Sequence, residues 1–250
     1  MTKIAIELDK VGLSYPIYGS NGRSFKRNLI NITTGGRLHK EANHMVVDAL
    51  HDVSFSVQSG DRVGLVGHNG AGKTTLLRVL AKIYEPTKGS ITIQGRISSL
   101  FDIKLGMDAE STGYENIIIR GLLLGFTAKK MRELTPEIEA FTEMGDFLSM
   151  PIKTYSAGMM VRLAFAIVTA AAPDILLMDE IIGAGDTRFM EKAQDRLENF
   201  IHKSEILVMA SHSNKALKKF CNKVLWLEHG KVKAFGPAEE IITLYEKAES

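Results

Sequence analysis

Val63-Gly64-Leu65-Val66-Gly67-His68-Asn69-Gly70-Ala71-Gly72-Lys73-Thr74-Thr75 decides the fold. From Gly67 to Thr74 the stretch satisfies GxxxxGK[ST]; the apolar run before it reads as a buried strand, and residues 74–83 carry apolar side chains at helical spacing. Strand, glycine loop and helix in that order make a phosphate cradle. Glycines let consecutive backbone N–H groups turn inward around phosphate oxygens, and the helix that follows points its positive end at the same anion. Lys73 then neutralises the β and γ phosphates and Thr74 offers a hydroxyl to Mg²⁺, while Gly67, Asn69, Gly70, Ala71, Gly72 and Thr75 complete the loop. His68 stands at a variable place in the pattern and is given no role of its own.

Around this loop the chain is ordinary in composition. Its 250 residues are 45% apolar and 24% charged, enough for one large core and too balanced for a disordered or fibrous chain. Thirty-one Lys and Arg against 29 Asp and Glu leave a net charge of +2, so nucleic acid is not the default partner. A single cysteine, Cys221, excludes an internal disulfide and fits a reducing compartment. The start lacks the apolar run of an export signal, and the most apolar stretch, residues 163–178, is interrupted by Pro173-Asp174 and is too short to cross a bilayer.

Strand-like segments fall at residues 4–8, 53–57, 62–66, 90–94, 175–178, 206–210 and 223–227, with helical patterns at 74–83, 161–171, 189–202 and 214–220. The alternation in the second half argues for an α/β fold with a largely parallel sheet. Two regions depart from it. Residues 17–48 read as a basic, glycine-containing insertion and a solvated loop, while residues 114–150 read as wholly helical, part of an inserted helical subdomain at 105–160.

Ile175-Leu176-Leu177-Met178-Asp179-Glu180 is an apolar strand closed by two carboxylates. Such a pair can be a solvated turn; after a phosphate loop it reads as Asp179 holding the Mg²⁺ shell and Glu180 polarising the water that attacks the γ-phosphate.

With Tyr155-Ser156-Ala157-Gly158-Met159 ahead of that pair and His212 just past the strand at 206–210, the chain resembles the ATPases of ABC transporters, whose signature is usually written LSGGQ. The resemblance implies a P-loop NTPase fold: a RecA-like core with an antiparallel β subdomain and an inserted helical subdomain, in one nucleotide-binding domain over 1–250. It implies that Ser156 and Gly158 clamp ATP bound to the loop of a second, identical subunit, and that His212 contacts the γ-phosphate. It implies that Tyr15 stacks on adenine, although an ordinary core or edge tyrosine fits equally, and that Gly185-Asp186 communicates between subunits. Where the family places a Gln that senses Mg²⁺, this chain has Asp102, a carboxylate that accepts but cannot donate as an amide does.

Asp102, the YSAGM variant of the signature, Glu110-Ser111-Thr112-Gly113-Tyr114-Glu115-Asn116-Ile117 and Gly183-Ala184-Gly185-Asp186 resemble the polysaccharide-exporter branch of the family, which moves O-antigen, capsule or teichoic acid. That branch implies a homodimer bound beneath two copies of a separate membrane permease, at the cytoplasmic face of the bacterial inner membrane, with lipid-linked polysaccharide as cargo and no nucleic acid. The chain ends at Ser250 without a carbohydrate-binding domain, so the motor alone is expected. Phe101, Met107, Tyr114 and Ile118 are candidates for the permease groove or, equally, for subdomain core. An importer ATPase for a small solute, or a soluble ATPase acting on nucleic acid, is the competing reading. The first calls for a true Gln and LSGGQ, the second for two nucleotide domains or a coiled coil.

Overall fold

A computed structural model describes residues 5–17, 38–41, 44–101, 103–179 and 187–249. They divide into two compact units, Met1–Gly95 with Val208–Ser250, and Arg96–Leu207.

The first unit is built on strands. β1 (Ala5–Ile17) runs antiparallel to β3 (His44–Gln58) and to β5 (Lys88–Gln94), and β2 (Leu38–Glu41) joins the outer side of β3. Alternation drives the pairing: Ile6, Leu8, Val11 and Leu13 of β1 and Val53, Phe55 and Val57 of β3 are all buried. β1 extends well beyond residue 8 because bulges absorb Asp9 and Lys10, the latter at φ 49°, where strict alternation fails. The expected solvated loop at 17–48 is corrected at its far end, where Lys40 pairs opposite Met45 in a β2–β3 hairpin. Arg23, Lys26, Arg27 and Arg37 lie outside the described residues.

The same unit contains β4 (Arg62–Val66), parallel to β9 (Lys223–Glu228), which is itself antiparallel to β10 (Lys231–Pro237). Val63, Leu65 and Val66 are buried, as a strand covered on both faces requires. A Cβ on Gly64 would stand 2.8 Å from Leu217, so the glycine lets α6 (Asn214–Phe220) settle on the strand. α7 (Ala238–Glu249) packs on β9 and β10, with Tyr245 edge-on to Trp226 at 5.4 Å. β10 and α7 have no counterpart in the sequence reading.

Among its described residues the second unit holds the parallel pair β6 (Ile97–Ser99) and β7 (Ile175–Asp179) and the α-helices α2 (Gly113–Leu123), α3 (Ala128–Thr142), α4 (Ala157–Val168) and α5 (Thr187–Lys203). The region expected to be wholly helical, 114–150, holds two helices and a 3-10 turn, Gly145–Ser149, with a break between the helices at residues 124–127. Gly125, at φ 83°, ends the first helix, and the Thr127 hydroxyl caps the second by accepting from the Lys130 N–H. Ile117, Met131, Ile138, Leu148, Ile152 and Leu163 form the core of this unit, and Met107, Tyr114 and Ile118 pack against it. For those three of the four groove candidates, the structure therefore supplies the core role. Exposed apolar residues of this unit among those described include Leu105, Leu122, Leu123, Phe147 and Met150.

Candidate functional site

The phosphate loop leaves β4 and enters α1 (Lys73–Leu80). Three of its glycines have positive φ: Gly67 at 145°, Gly70 at 79° and Gly72 at 110°. At Gly67 the demand is steric as well as conformational, because a Cβ there would lie 2.2 Å from the Leu227 carbonyl oxygen and 2.9 Å from Ala71 Cβ. Gly72 is the N-cap of α1 and supplies no side-chain cap, and the first turn carries no acidic residue. The positive end of the helix is thus left for an exogenous anion. Leu76, Leu77, Val79 and Leu80 anchor the helix in the core.

Lys73 is buried, with Nζ donating to the carbonyl oxygens of Gly67 and of His68, the latter at 3.3 Å. The ammonium is therefore held inside the loop it serves. Thr74 is exposed and Thr75 half-buried, both in the first turn of α1. The back of the loop is braced by the turn between β9 and β10: Gly230 N–H donates to the Ala71 carbonyl at 2.9 Å, and the Gly230 carbonyl accepts from the His51 N–H at 2.8 Å.

Tyr15 sits late in β1, opposite Val47 of β3, and is 42% exposed, which excludes the core alternative. β3 also runs behind the loop, where a Cβ on Gly72 would meet the Ala49 carbonyl at 3.1 Å. His212 is exposed in the short link between β8 (Ile206–Ala210), a neighbour of β4 in the sheet, and α6, one residue before the Ser213 N-cap.

In the second unit, Ser156 is the N-cap of α4; its Oγ accepts from the Met159 N–H at 3.2 Å, and its hydroxyl proton remains available to donate. Gly158 is exposed in a first turn without acidic residues, and a Cβ on it would meet only Ser156 Oγ, at 3.9 Å. Tyr155 donates from its hydroxyl to the Phe147 carbonyl at 2.7 Å, and burial pushes its phenol up from the usual value. Asp179 closes β7 and is half-buried. Glu180, Asp102, Gly185 and Asp186 lie outside the described residues.

The sequence reading quoted the 110–117 stretch without its structural logic. Thr112 and Glu115 form a reciprocal capping box at the start of α2, which the Thr-x-x-Glu spacing signals directly. Asn116 is fully buried; its Nδ2 donates to the carbonyls of Asp108, Ser111 and Thr112, and its Oδ1 accepts from the Asp108 N–H at 2.8 Å. It fastens the 108–112 loop to the helix. The contributions of His229 and Gly230 also went unread; the only local signal is Gly230, a glycine that punctuates the runs on either side.

A family model described as ABC transporter matches residues 50–183. The O-antigen export system ATP-binding protein RfbE of Yersinia enterocolitica is 48% identical over 88% of this chain and 92% of its own length. The teichoic acids export ATP-binding protein TagH of Shouchella clausii is 37% identical over 96% of this chain and 64% of its own length. Among solved structures, an ATP-binding cassette in a dimeric post-hydrolysis state with ADP and Pi aligns with a TM-score of 0.65 at 19% identity, covering 93% of this chain and 98% of that one; this likeness concerns the fold.

Proposed function

The chain belongs to the ABC transporter family, and from that membership we propose that it is the ATP-hydrolysing motor of a bacterial exporter of lipid-linked polysaccharide. What carries the nucleotide part is the loop at residues 67–75, with its bare helix terminus and inward-held Lys73. The cargo reading rests on the relatives whose names specify O-antigen and teichoic acid export.

In this reading the backbone N–H groups of the loop and the Lys73 ammonium bind the β and γ phosphates, and Lys73 exchanges its carbonyl partners for phosphate oxygens. Tyr15, exposed on its strand, offers a ring face to adenine. The exposed Thr74 hydroxyl and the Asp179 carboxylate are hard oxygen donors that suit Mg²⁺, which neutralises phosphate charge when bound. Glu180 orients and polarises the attacking water, and His212 donates toward the γ-phosphate. Asp102 stands in for the usual amide near the metal. Ser156 and Gly158, at the head of α4, close on the nucleotide held by a second copy of the chain.

Two copies then share two nucleotides, and loss of the γ-phosphate charge releases them. That cycle drives a separate membrane permease, with this subunit peripheral at the cytoplasmic face. Among the described residues, no helix is long and apolar enough to cross a membrane.

The test is Glu180→Gln: ATP-dependent dimers accumulate while turnover falls by at least about 100-fold. Unchanged turnover removes Glu180 from its role. Mixed dimers of Lys73→Ala and Ser156→Ala subunits should lose the one pocket where both changes meet and retain the other. For the cargo, the subunit purified with its co-expressed permease should retain a glycolipid; retention of a small solute instead favours import.

A further inference from the structure

Behind the phosphate loop two imidazole rings meet in a contact that hydrolysis does not call for. The rings of His68 and His229 lie with centroids 4.7 Å apart and planes tilted by 55°. His68 is the second residue of the loop; His229 begins the two-residue turn between β9 and β10, at φ 49°. The backbone already ties that turn to the loop through Gly230 and Ala71, and the Leu227 carbonyl fills the space that a side chain on Gly67 would need.

The orientation of the His68 ring is fixed from the other side. Its Nδ1 stands 2.8 Å from the Asn69 carbonyl oxygen, which can only accept, so Nδ1 carries the proton. Nε2 is then an acceptor buried without a protein partner. A ring free to turn would take that nitrogen to water, because a buried acceptor without a partner costs stability. Packing against His229 opposes the turn.

The Lys233 hydrogen bond first, and then the charges of Lys233, His229 and His68, hold the Glu228 carboxyl below its usual range, so this carboxylate lies within electrostatic reach of both imidazoles. Glu228 accepts from Lys233 Nζ at 2.7 Å, and Lys233 also lies over the Trp226 ring; the His51 ring stands 3.6 Å from Asp48; Lys73 faces the loop carbonyls. The His68–His229 contact itself is ring against ring, beside the Glu228 carboxylate.

We propose that His229 is a positioning residue for ATP binding: its ring, stacked on His68, holds the backbone from Gly67 to Asn69 in the conformation that receives phosphate. The inference rests on the reading of this loop as the ATP site and adds a remote residue that sets its affinity.

The experiment compares ATP dissociation constant, KM, kcat and Tm for the full-length wild type, His229→Asn and His229→Phe. Asn tolerates the left-handed backbone and removes the ring; Phe restores a ring without the nitrogens. His229→Asn should raise the dissociation constant and KM by about two- to tenfold, the range expected of an aromatic pair, with kcat within about twofold of wild type. His229→Phe should recover most of the affinity. In a His68→Ala background, His229→Asn should add no further loss. Equal affinity in wild type and His229→Asn, a Phe variant no better than Asn although its Tm matches that of wild type, a loss confined to Tm, or additive losses in the double variant would each overturn the inference. If the wild type itself binds no ATP, the functional reading fails; if the wild type binds and the variants match it, only the role of His229 fails.

Discussion

Gly67→Ala should be among the most damaging single-methyl changes in this chain, and the structure supplies its size. Two costs combine. The first is conformational: an L-residue in left-handed backbone costs about 1–2 kcal/mol. The second is steric: the new Cβ would lie 2.2 Å from the Leu227 carbonyl oxygen, whereas carbon–oxygen contacts sit near 3.3 Å, so loop and strand must part by roughly 1 Å. Forcing such a shift in packed surroundings adds about 1–3 kcal/mol. The total is about 2–5 kcal/mol of lost stability.

Gly60→Ala is the internal control, because φ there is 90° and nothing lies within 4 Å of the added methyl. It should lose only the conformational part, about 1–2 kcal/mol. Urea unfolding of both variants without nucleotide measures the difference, and ATP titration measures the functional consequence. A reacting group displaced by 1 Å loses about 100-fold in rate, and in the proposed function the loop carries the groups that hold the transferring phosphoryl. Gly67→Ala should therefore lose ATP turnover on that scale, while Gly60→Ala retains it. Equal stability and turnover in the two variants would refute the steric argument and free the loop from its contact with Leu227.

Other outcomes follow from the same physical reasoning. Asn116→Ala leaves the Asp108 N–H and carbonyl without their side-chain partner and should cost about 2–3 kcal/mol, read as a Tm fall of roughly 4–12 °C; a fall under about 2 °C contradicts the fastening role. Burial pushes the Cys221 thiol up to about 12, so at pH 8 iodoacetamide should label native protein at less than about one tenth of the rate seen in denaturant. The folded-state value is raised, so this thiol's stabilising contribution is complete below the unfolded value and is lost between about pH 9 and 12, which alkaline unfolding curves detect.

The parts of the fold that were legible share one property: local sequence and tertiary environment demand the same thing. β4 and β8 match their expected bounds because a strand buried on both faces is a continuous apolar run, and α6 matches because Ser213 caps a periodic segment. The 38–48 segment was misread because its polar, basic composition signals a loop, while backbone pairing with β3 decides its state. β10 was missed because Lys231 and Lys233 alternate with small residues and the run ends in Gly236-Pro237; its register is set by β9. Within 114–150 the helical character was legible but the break was not, because periodicity continues across Gly125, whose left-handed backbone ends the first helix. At the site, the loop at 67–75 announces itself by glycine spacing with its strand and helix flanks, since positive φ at Gly67, Gly70 and Gly72, and close approach at Gly67, call for glycine. His229 could not be found that way. Its contact with His68 exists only once β9 and β4 lie side by side.

Gly230 also bears on the order in which the molecule is made. Its amide completes the hydrogen bonding of Ala71, yet it lies far toward the other end of the chain. A nascent polypeptide that has emerged past α1 but not past residue 230 has translated every phosphate-binding residue of the loop and still lacks its brace. The braced loop is therefore complete only after residue 230 has emerged, so long-range pairing times the acquisition of activity.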